Sequence, residues 1–174
     1  IAANLFHALR RQLTWNFRKP LINFSPKAYL RYPGSYSGIE EFTSGSFKEL
    51  IDDSSAEDAT KIKKVLFCSG KLYFELAERK VKDKRDDVAL IRMEQLYPLP
   101  LKQLNGLYKK YNKAVWCWVQ EEQLNMCAAS FLQMNLKTIN YGVISRSPSA
   151  STATGFSKVH AQEQSQIINT AFSV

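Results

Sequence analysis

Val65-Leu66-Phe67-Cys68, Val88-Ala89-Leu90-Ile91 and Ala114-Val115-Trp116-Cys117-Trp118-Val119 are three apolar runs whose reading decides the fold. None of them alternates polar with apolar residues, so each predicts a strand buried on both faces. Between them, residues 71–80 carry Leu72, Phe74 and Leu76, and residues 101–111 follow the second run. Both segments have helical length and spacing. A helix over 127–137, a more irregular strand over 140–144 and a closing helix over 160–172 continue the series. Buried strands separated by helices of about ten residues predict an α/β fold. The crossover rule makes it a three-layer, doubly wound, mostly parallel sheet.

Ahead of Lys61 the pattern differs. Residues 2–14 predict a helix with Leu5, Phe6, Leu9 and Leu13 on one face and Arg10 and Arg11 largely off it. Lys19-Pro20 ends that helix, and residues 21–24 read as a short strand stopped by Ser25-Pro26. Residues 32–46, with Pro33, Gly34, Gly38 and Gly45, have loop composition; a helical turn over 47–51 and a polar run over 52–60 follow. The expected organisation is 1–31 as the tail of a preceding domain, 32–60 as a linker and 61–174 as the C-terminal α/β domain. A chain that starts without Met suits a fragment or a processed product.

Bulk composition excludes several classes. The 174 residues, 45% hydrophobic and 23% charged, are ordinary for a globular protein. No apolar run reaches the length of a membrane span, and the first helix lacks the cleavage site of a signal peptide. Neither a membrane nor a secretory route is expected. Cys68, Cys117 and Cys127 are too few and too far apart for a zinc site or a disulfide framework. Cys68 and Cys117, each in an apolar run, read as small buried hydrophobes, and a reducing, cytoplasmic-type compartment follows. The net charge of +8 is uneven: Arg10, Arg11, Arg18, Lys19, Lys27 and Arg31 all precede the first acid, Glu40. Such a block attracts phosphates or an acidic partner. It lacks the aromatic platform that nucleic-acid binding needs, so no nucleic acid is expected.

Four motifs carry chemistry. Ser69-Gly70-Lys71 follows the first strand at the carboxyl edge, where α/β sheets bind ligands, but it lacks the glycine spacing of a phosphate loop. Glu121 and Glu122 end the third strand; adjacent strand residues point to opposite faces, so they predict an ion pair or a helix contact and not a shared acid–base role. His7 and His160 stand without a nucleophile or further metal ligands. The Ser/Thr-rich run 145–154 lies between a strand and a helix and predicts an ordered loop, with Arg146 either clamping a carboxylate or phosphate from a neighbouring chain or forming a surface ion pair, and Gly155 supplying a turn.

Several blocks together resemble one family. Phe6-His7-Ala8-Leu9-Arg10-Arg11-Gln12, Arg18-Lys19-Pro20, Cys68-Ser69-Gly70-Lys71-Leu72-Tyr73, Arg92-Met93-Glu94-Gln95-Leu96-Tyr97-Pro98, Val119-Gln120-Glu121-Glu122 and Arg146-x-x-Ser149-Ala150-Ser151 with Gly155 and Val159-His160 resemble the C-terminal end of 2-oxoglutarate dehydrogenases. The resemblance spans essentially the whole chain. Two departures are local. Where the family has Glu-Glu-Pro-x-Asn-x-Gly, Gln123 replaces the proline and Cys127 the glycine. The family's Arg-Pro-Ala-Ser-Ala-Ser-Pro stands here as Arg146-Ser147-Pro148-Ser149-Ala150-Ser151-Thr152.

The resemblance implies a transketolase-like C-terminal domain preceded by the tail of a pyrimidine-binding domain. It implies a full-length enzyme that uses thiamine diphosphate and magnesium in the tricarboxylic acid cycle. Its partners would be the rest of its own chain, a second copy in a homodimer and the lipoyl-bearing dihydrolipoyl succinyltransferase. Its location would be the cytoplasm, or the mitochondrial matrix in a eukaryote. The motifs that hold the cofactor are absent, so the fragment is expected to bind none and to be inactive alone. An anionic effector, a nucleotide or acyl-CoA, would be met by Arg10, Arg11, Arg18 and Lys71. Glu121, Glu122, Arg146 and His160 are the loop and interface residues. The alternative is a stand-alone α/β module that binds anions or nucleotides through the basic N-terminal block.

Overall fold

The computed structural model describes residues 1–173. Two units divide the chain, Ile1–Glu49 and a second one beginning at Leu50. In the second unit the apolar runs lie side by side as β2 (Lys64–Cys68), β3 (Val88–Met93) and β4 (Val115–Gln123). β2 is the central strand. It pairs in parallel with β3 on one side, Phe67 beside Ile91, and with β4 on the other, Phe67 beside Trp118. β5 (Gly142–Arg146) adds to β4 in parallel, and with a short β1 (Leu50–Ile51) beyond β3 the full order is β1-β3-β2-β4-β5.

Strand alternation then distributes the side chains. Val65, Phe67, Ile91, Met93, Trp116 and Trp118 face α4 (Leu101–Lys110) and α5 (Ala128–Asn135), packing with Leu104, Ala129 and Leu132. Leu66, Cys68, Val88, Leu90, Cys117 and Val119 face α3 (Leu72–Lys82) and α6 (Ser157–Phe172), packing with Leu72, Leu76, Ile167 and Ala171. Burying each large apolar side chain contributes about 1.5–3 kcal/mol, so two continuous faces fix three layers. The α/β expectation is what the structure shows. Cys68 and Cys117 are buried in one of these layers, and burial pushes the Cys68 thiol up to about 12.

The sheet gains one strand that the sequence reading missed. A helical turn was expected over 47–51, but Leu50–Ile51 form β1, antiparallel to Met93 and Arg92 at the edge of β3. The open ladder of β3 offers those two residues more backbone hydrogen bonds than an isolated turn could. Directly after β1, Asp53 is a hub. Its carboxylate accepts from Lys80 Nζ at 2.7 Å, the Leu90 amide at 2.9 Å and the Ser55 amide and hydroxyl. Both charged side chains are only 10% exposed.

The first unit is built differently from its pattern. α1 (Ala2–Thr14) forms where expected, but its buried residues are Ala3, Asn4 and His7. Leu5, Phe6, Leu9 and Leu13 are exposed, Leu13 by 73%. The polar stripe is buried because it meets polar partners. Asn4 exchanges two hydrogen bonds with the Lys48 backbone, and a His7 ring nitrogen lies 2.7 Å from the carbonyl of Glu41 in the short α2 (Ile39–Thr43). Residues 21–24, expected as a strand, form none. Among the described residues no strand pairs with them, and Phe24 is 93% exposed.

Between β4 and α5 the backbone turns on one amide. Gln120 is 3% exposed, and its Oε1 accepts from Trp118 Nε1 at 2.8 Å and from the Ala129 amide at 2.9 Å. Its Nε2 donates to the carbonyls of Gln123 and Met126 at 2.9 and 3.0 Å. Drawing Met126 and Ala129 onto the same amide forces Cys127 to φ 58°, ψ −142°. That region is essentially reserved for glycine, and a side chain there costs on the order of 1–3 kcal/mol. The departure from the family glycine at Cys127 therefore carries strain.

Two stability measurements follow. Cys127→Gly should raise the urea midpoint, by about 1 kcal/mol of stability after the entropy of a glycine is subtracted. Cys127→Val should lower it. For Asp53, burial pushes the carboxyl up, but the donors from Lys80, Ser55 and Leu90 outweigh burial and hold it below its ordinary 3.8. A folded value below the unfolded one adds stability above pH 3.8 that is lost as pH falls through the folded value. Asp53→Asn should flatten that acid limb in urea titrations across pH 5 to 2 and cost about 3 kcal/mol at neutral pH.

Candidate functional site

The chain winds from β2 through α3 to β3 on one side, then crosses back to place β4 on the other side of β2. Connections that leave β2 and β4 in opposite directions open a crevice at their carboxyl ends, the place where α/β sheets bind ligands. Gly70 closes the turn after β2 at φ 69°, a left-handed conformation that a side chain would strain. That turn puts Lys71 at the start of α3, facing Glu121 across the crevice.

Lys71 Nζ is bonded to Glu121, and it lies 3.4 Å from Glu75 one helical turn along α3. Glu75 also accepts from Gln164 Nε2 of α6 at 2.8 Å. Burial lowers the Lys71 ammonium's affinity for its proton, but the two carboxylates outweigh burial and leave its pKa raised. Beside this cluster, Arg92 at the end of β3 is 7% exposed and donates to Glu94 at 2.8 and 3.1 Å. Its guanidinium lies 4.5 Å from the Tyr73 ring centroid. Burial pushes the Tyr73 hydroxyl up, and Arg92 opposes it.

Glu122 does not join Glu121. It points to the other face of the sheet, beside Cys127, whose thiol burial and Glu122 together hold up. At the end of β5, Arg146 gathers the loop and the last helix. Its Nη1 donates to Thr154 Oγ1 at 3.1 Å and lies 3.2 Å from Glu163 Oε2; its Nη2 lies 3.0 Å from His160 Nδ1. Asn125 holds the Ser149 backbone at two points, 3.0 and 3.1 Å. The Ser/Thr-rich run is thus ordered around named bonds. The backbone bends at Gly155, although its φ is not positive and a Cβ there would meet nothing within 4 Å.

The arginines of the basic block are in the first unit. Arg10 is exposed. Arg11 sits 4.0 Å over the Phe47 ring, and Arg18 donates to the carbonyls of Trp15 and Phe17 at 2.7 and 3.2 Å. Lys71 belongs to the second unit, where carboxylates already match its charge. Sequence reasoning missed Asp53, Lys80, Gln120 and Glu163. Asp53 lies in the polar run 52–60 and Glu163 in the closing helix, neither inside a motif, and Gln120 stood out only as part of one. At the carboxyl edge, charges are matched pair by pair, an arrangement suited to shaping and docking more than to moving protons.

Known proteins resemble this chain along almost its whole length. Residues 36–172 match the profile of the family described as 2-oxoglutarate dehydrogenase C-terminal. The chain is 41% identical over 184 residues to the mitochondrial 2-oxoglutarate dehydrogenase of Caenorhabditis elegans, covering 99% of this chain and 18% of that protein. It is 41% identical over 177 residues to the 2-oxoglutarate dehydrogenase E1/E2 component of Corynebacterium glutamicum, covering 98% of this chain and 14% of that one. A probable 2-oxoadipate dehydrogenase complex component E1 homolog of Dictyostelium discoideum is 39% identical over 98% of this chain and 20% of its own length. The chain therefore spans a fifth or less of these relatives. Among solved structures, an inactive β4 tetramer of a split-gene transketolase aligns with 63% of this chain and 38% of its own at a TM-score of 0.47 and 8% identity, a likeness too slight to carry an argument. With its profile matched over most of the chain, this protein belongs to the 2-oxoglutarate dehydrogenase C-terminal family.

Proposed function

We propose that this chain is the C-terminal structural and dimerising portion of a 2-oxoglutarate dehydrogenase. Such an enzyme oxidatively decarboxylates 2-oxoglutarate and passes the succinyl group to the lipoyl arm of a dihydrolipoyl succinyltransferase. The observation that supports the reading is 41% identity sustained over 99% of the chain. A stand-alone anion-binding module is not favoured, because the likeness to large dehydrogenases includes the N-terminal segment as well as the α/β domain. Residues 1–35 precede the matched C-terminal profile yet share that likeness. They are read, through residue 31, as the tail of a pyrimidine-binding domain, whose remaining polypeptide would cover Leu5, Phe6, Leu9 and Leu13.

Thiamine diphosphate held with magnesium supplies a carbon nucleophile for decarboxylation in this reading. Among the described residues, no three His, Cys, Asp or Glu side chains stand together as metal ligands, so none is assigned to that site. The share of this chain is architectural. Glu121, Glu122, Arg146 and His160 fix the loops that frame a homodimer and the approach of the lipoyl arm. No helix of the described residues is long and apolar enough to cross a membrane. The proposed location is the cytoplasm, or the mitochondrial matrix in a eukaryote.

The full-length protein that carries this chain should reduce ferricyanide with 2-oxoglutarate only when thiamine diphosphate and magnesium are present. The isolated chain should not. Because one relative is named for 2-oxoadipate, both 2-oxo acids belong in the assay. Activity with neither acid would overturn the reading. An anionic effector would bind through Arg10, Arg11 and Arg18 of the first unit, since Lys71 in the second is already matched by Glu121 and Glu75. Calorimetry with acetyl-CoA should then show heat for the wild type and at least about tenfold weaker binding for Arg10→Ala/Arg11→Ala. Equal binding, or none by either protein, would remove the effector site.

A further inference from the structure

Between the outer edge of β5, one face of α6 and the loop 147–155 runs a cleft of about 700 Å³. Val143 to Arg146 line it consecutively. Neighbouring strand residues point to opposite faces, so four in a row bring the cleft around the strand's open edge, and Gln123 and Leu124 at the end of β4 line it too. β5 ends the strand order, and among the described residues no strand pairs with that edge. Hydroxyl groups of Ser149 and Thr154 and the amide of Gln166 supply polar lining. Of the described residues that line the cleft, only Arg146 and Glu163 are charged.

These two are unequally placed. The Arg146 side chain is 9% exposed, while that of Glu163 is 35% exposed. Arg146 Nε has no hydrogen-bond partner among the described residues. A guanidinium is a planar fork with five N–H groups, made for two-point contact with a carboxylate or phosphate. The fold buries that fork beside an open cleft and leaves part of it unmatched. One oxyanion oxygen is already gripped there: Glu163 Oε2 lies 3.2 Å from Nη1 and accepts from the Thr154 hydroxyl at 2.5 Å.

We propose that this cleft binds a small oxyanion, the carboxylate or phosphate group of a metabolite, with Arg146 as its anchor. Glu163 is the internal carboxylate that holds the place until the ligand displaces it. Being the more exposed partner, and on a helix surface, Glu163 can swing to solvent while Arg146 stays fixed between strand and loop. The Thr154 hydroxyl then donates to the ligand instead. This site stands on the second unit alone and is separate from Arg10, Arg11 and Arg18.

The test titrates inorganic phosphate and, separately, malonate into the full-length protein by calorimetry, for wild type, Glu163→Gln and Arg146→Gln. Glu163→Gln removes the competing charge and should bind at least about tenfold more tightly than wild type. Arg146→Gln should lose the response that Glu163→Gln gains. Should Arg146→Gln fail to fold, Thr154→Val in the Glu163→Gln background takes its place, with binding weakened several-fold. Phosphate binding without malonate binding assigns a phosphate ligand, and the reverse assigns a carboxylate. If Glu163→Gln gains no affinity for either anion, or if its gain survives Arg146→Gln, the ion pair is purely structural and the proposal falls.

Discussion

One amide governs the far half of this domain. Gln120 lies in the layer between the sheet and α5, satisfied at both ends of its side chain by Trp118, Ala129, Gln123 and Met126. A buried amide with all its hydrogen bonds made specifies a single geometry, since any alternative leaves polar groups unpaired at about 1–3 kcal/mol each. The geometry it specifies is the exit of β4, the direction of α5 and the reach of Glu121 toward Lys71. It also imposes the glycine-like backbone on Cys127. The strain at Cys127 and the order at the carboxyl edge are thus two consequences of one hydrogen-bonding centre.

Electrostatics completes what packing begins. The chain carries eight more positive than negative charges, yet the second unit places its key cations against carboxylates: Lys71 with Glu121 and Glu75, Lys80 with Asp53, Arg92 with Glu94, Arg146 with Glu163. Apart from Lys71–Glu75, one turn apart along α3, each pair ties together elements distant in sequence or locks a strand end. Such pairs are weak sources of net stability when formed, but breaking one leaves a costly buried charge. Their effect is specificity of arrangement, notably the attachment of β1 and of the Ser/Thr-rich loop. Residues 10–31 hold six cationic side chains and no acidic one, a stretch that an anion or an acidic partner can meet.

The two units differ in how far they satisfy themselves. In the second, both faces of the sheet are covered and two core clusters close. In the first, α1 buries a polar stripe through Asn4 and His7 and leaves its leucines in solvent. Apolar stripes normally face the interior, and in the proposed reading other polypeptide of a longer enzyme would cover this one. Relatives at least five times longer than this chain make that the natural reading.

Strand runs such as Val65-Leu66-Phe67-Cys68 determined the layers by themselves, because unbroken apolar runs between helical segments have no other economical burial. The motifs at Lys71, Glu121 and Arg146 were equally legible as residues at strand ends. Their partners were not. Asp53 meets Lys80, and Arg146 meets Glu163, only after strands and helices distant in sequence are brought together, and sequence periodicity carries no information about such pairs. The pairing of Leu50–Ile51 with β3, the exposed leucines of α1 and the positive φ of Cys127 were likewise decided in three dimensions. Periodicity fixes which face a residue takes; only tertiary structure decides what stands opposite that face, and there burial sets the energy of each pair.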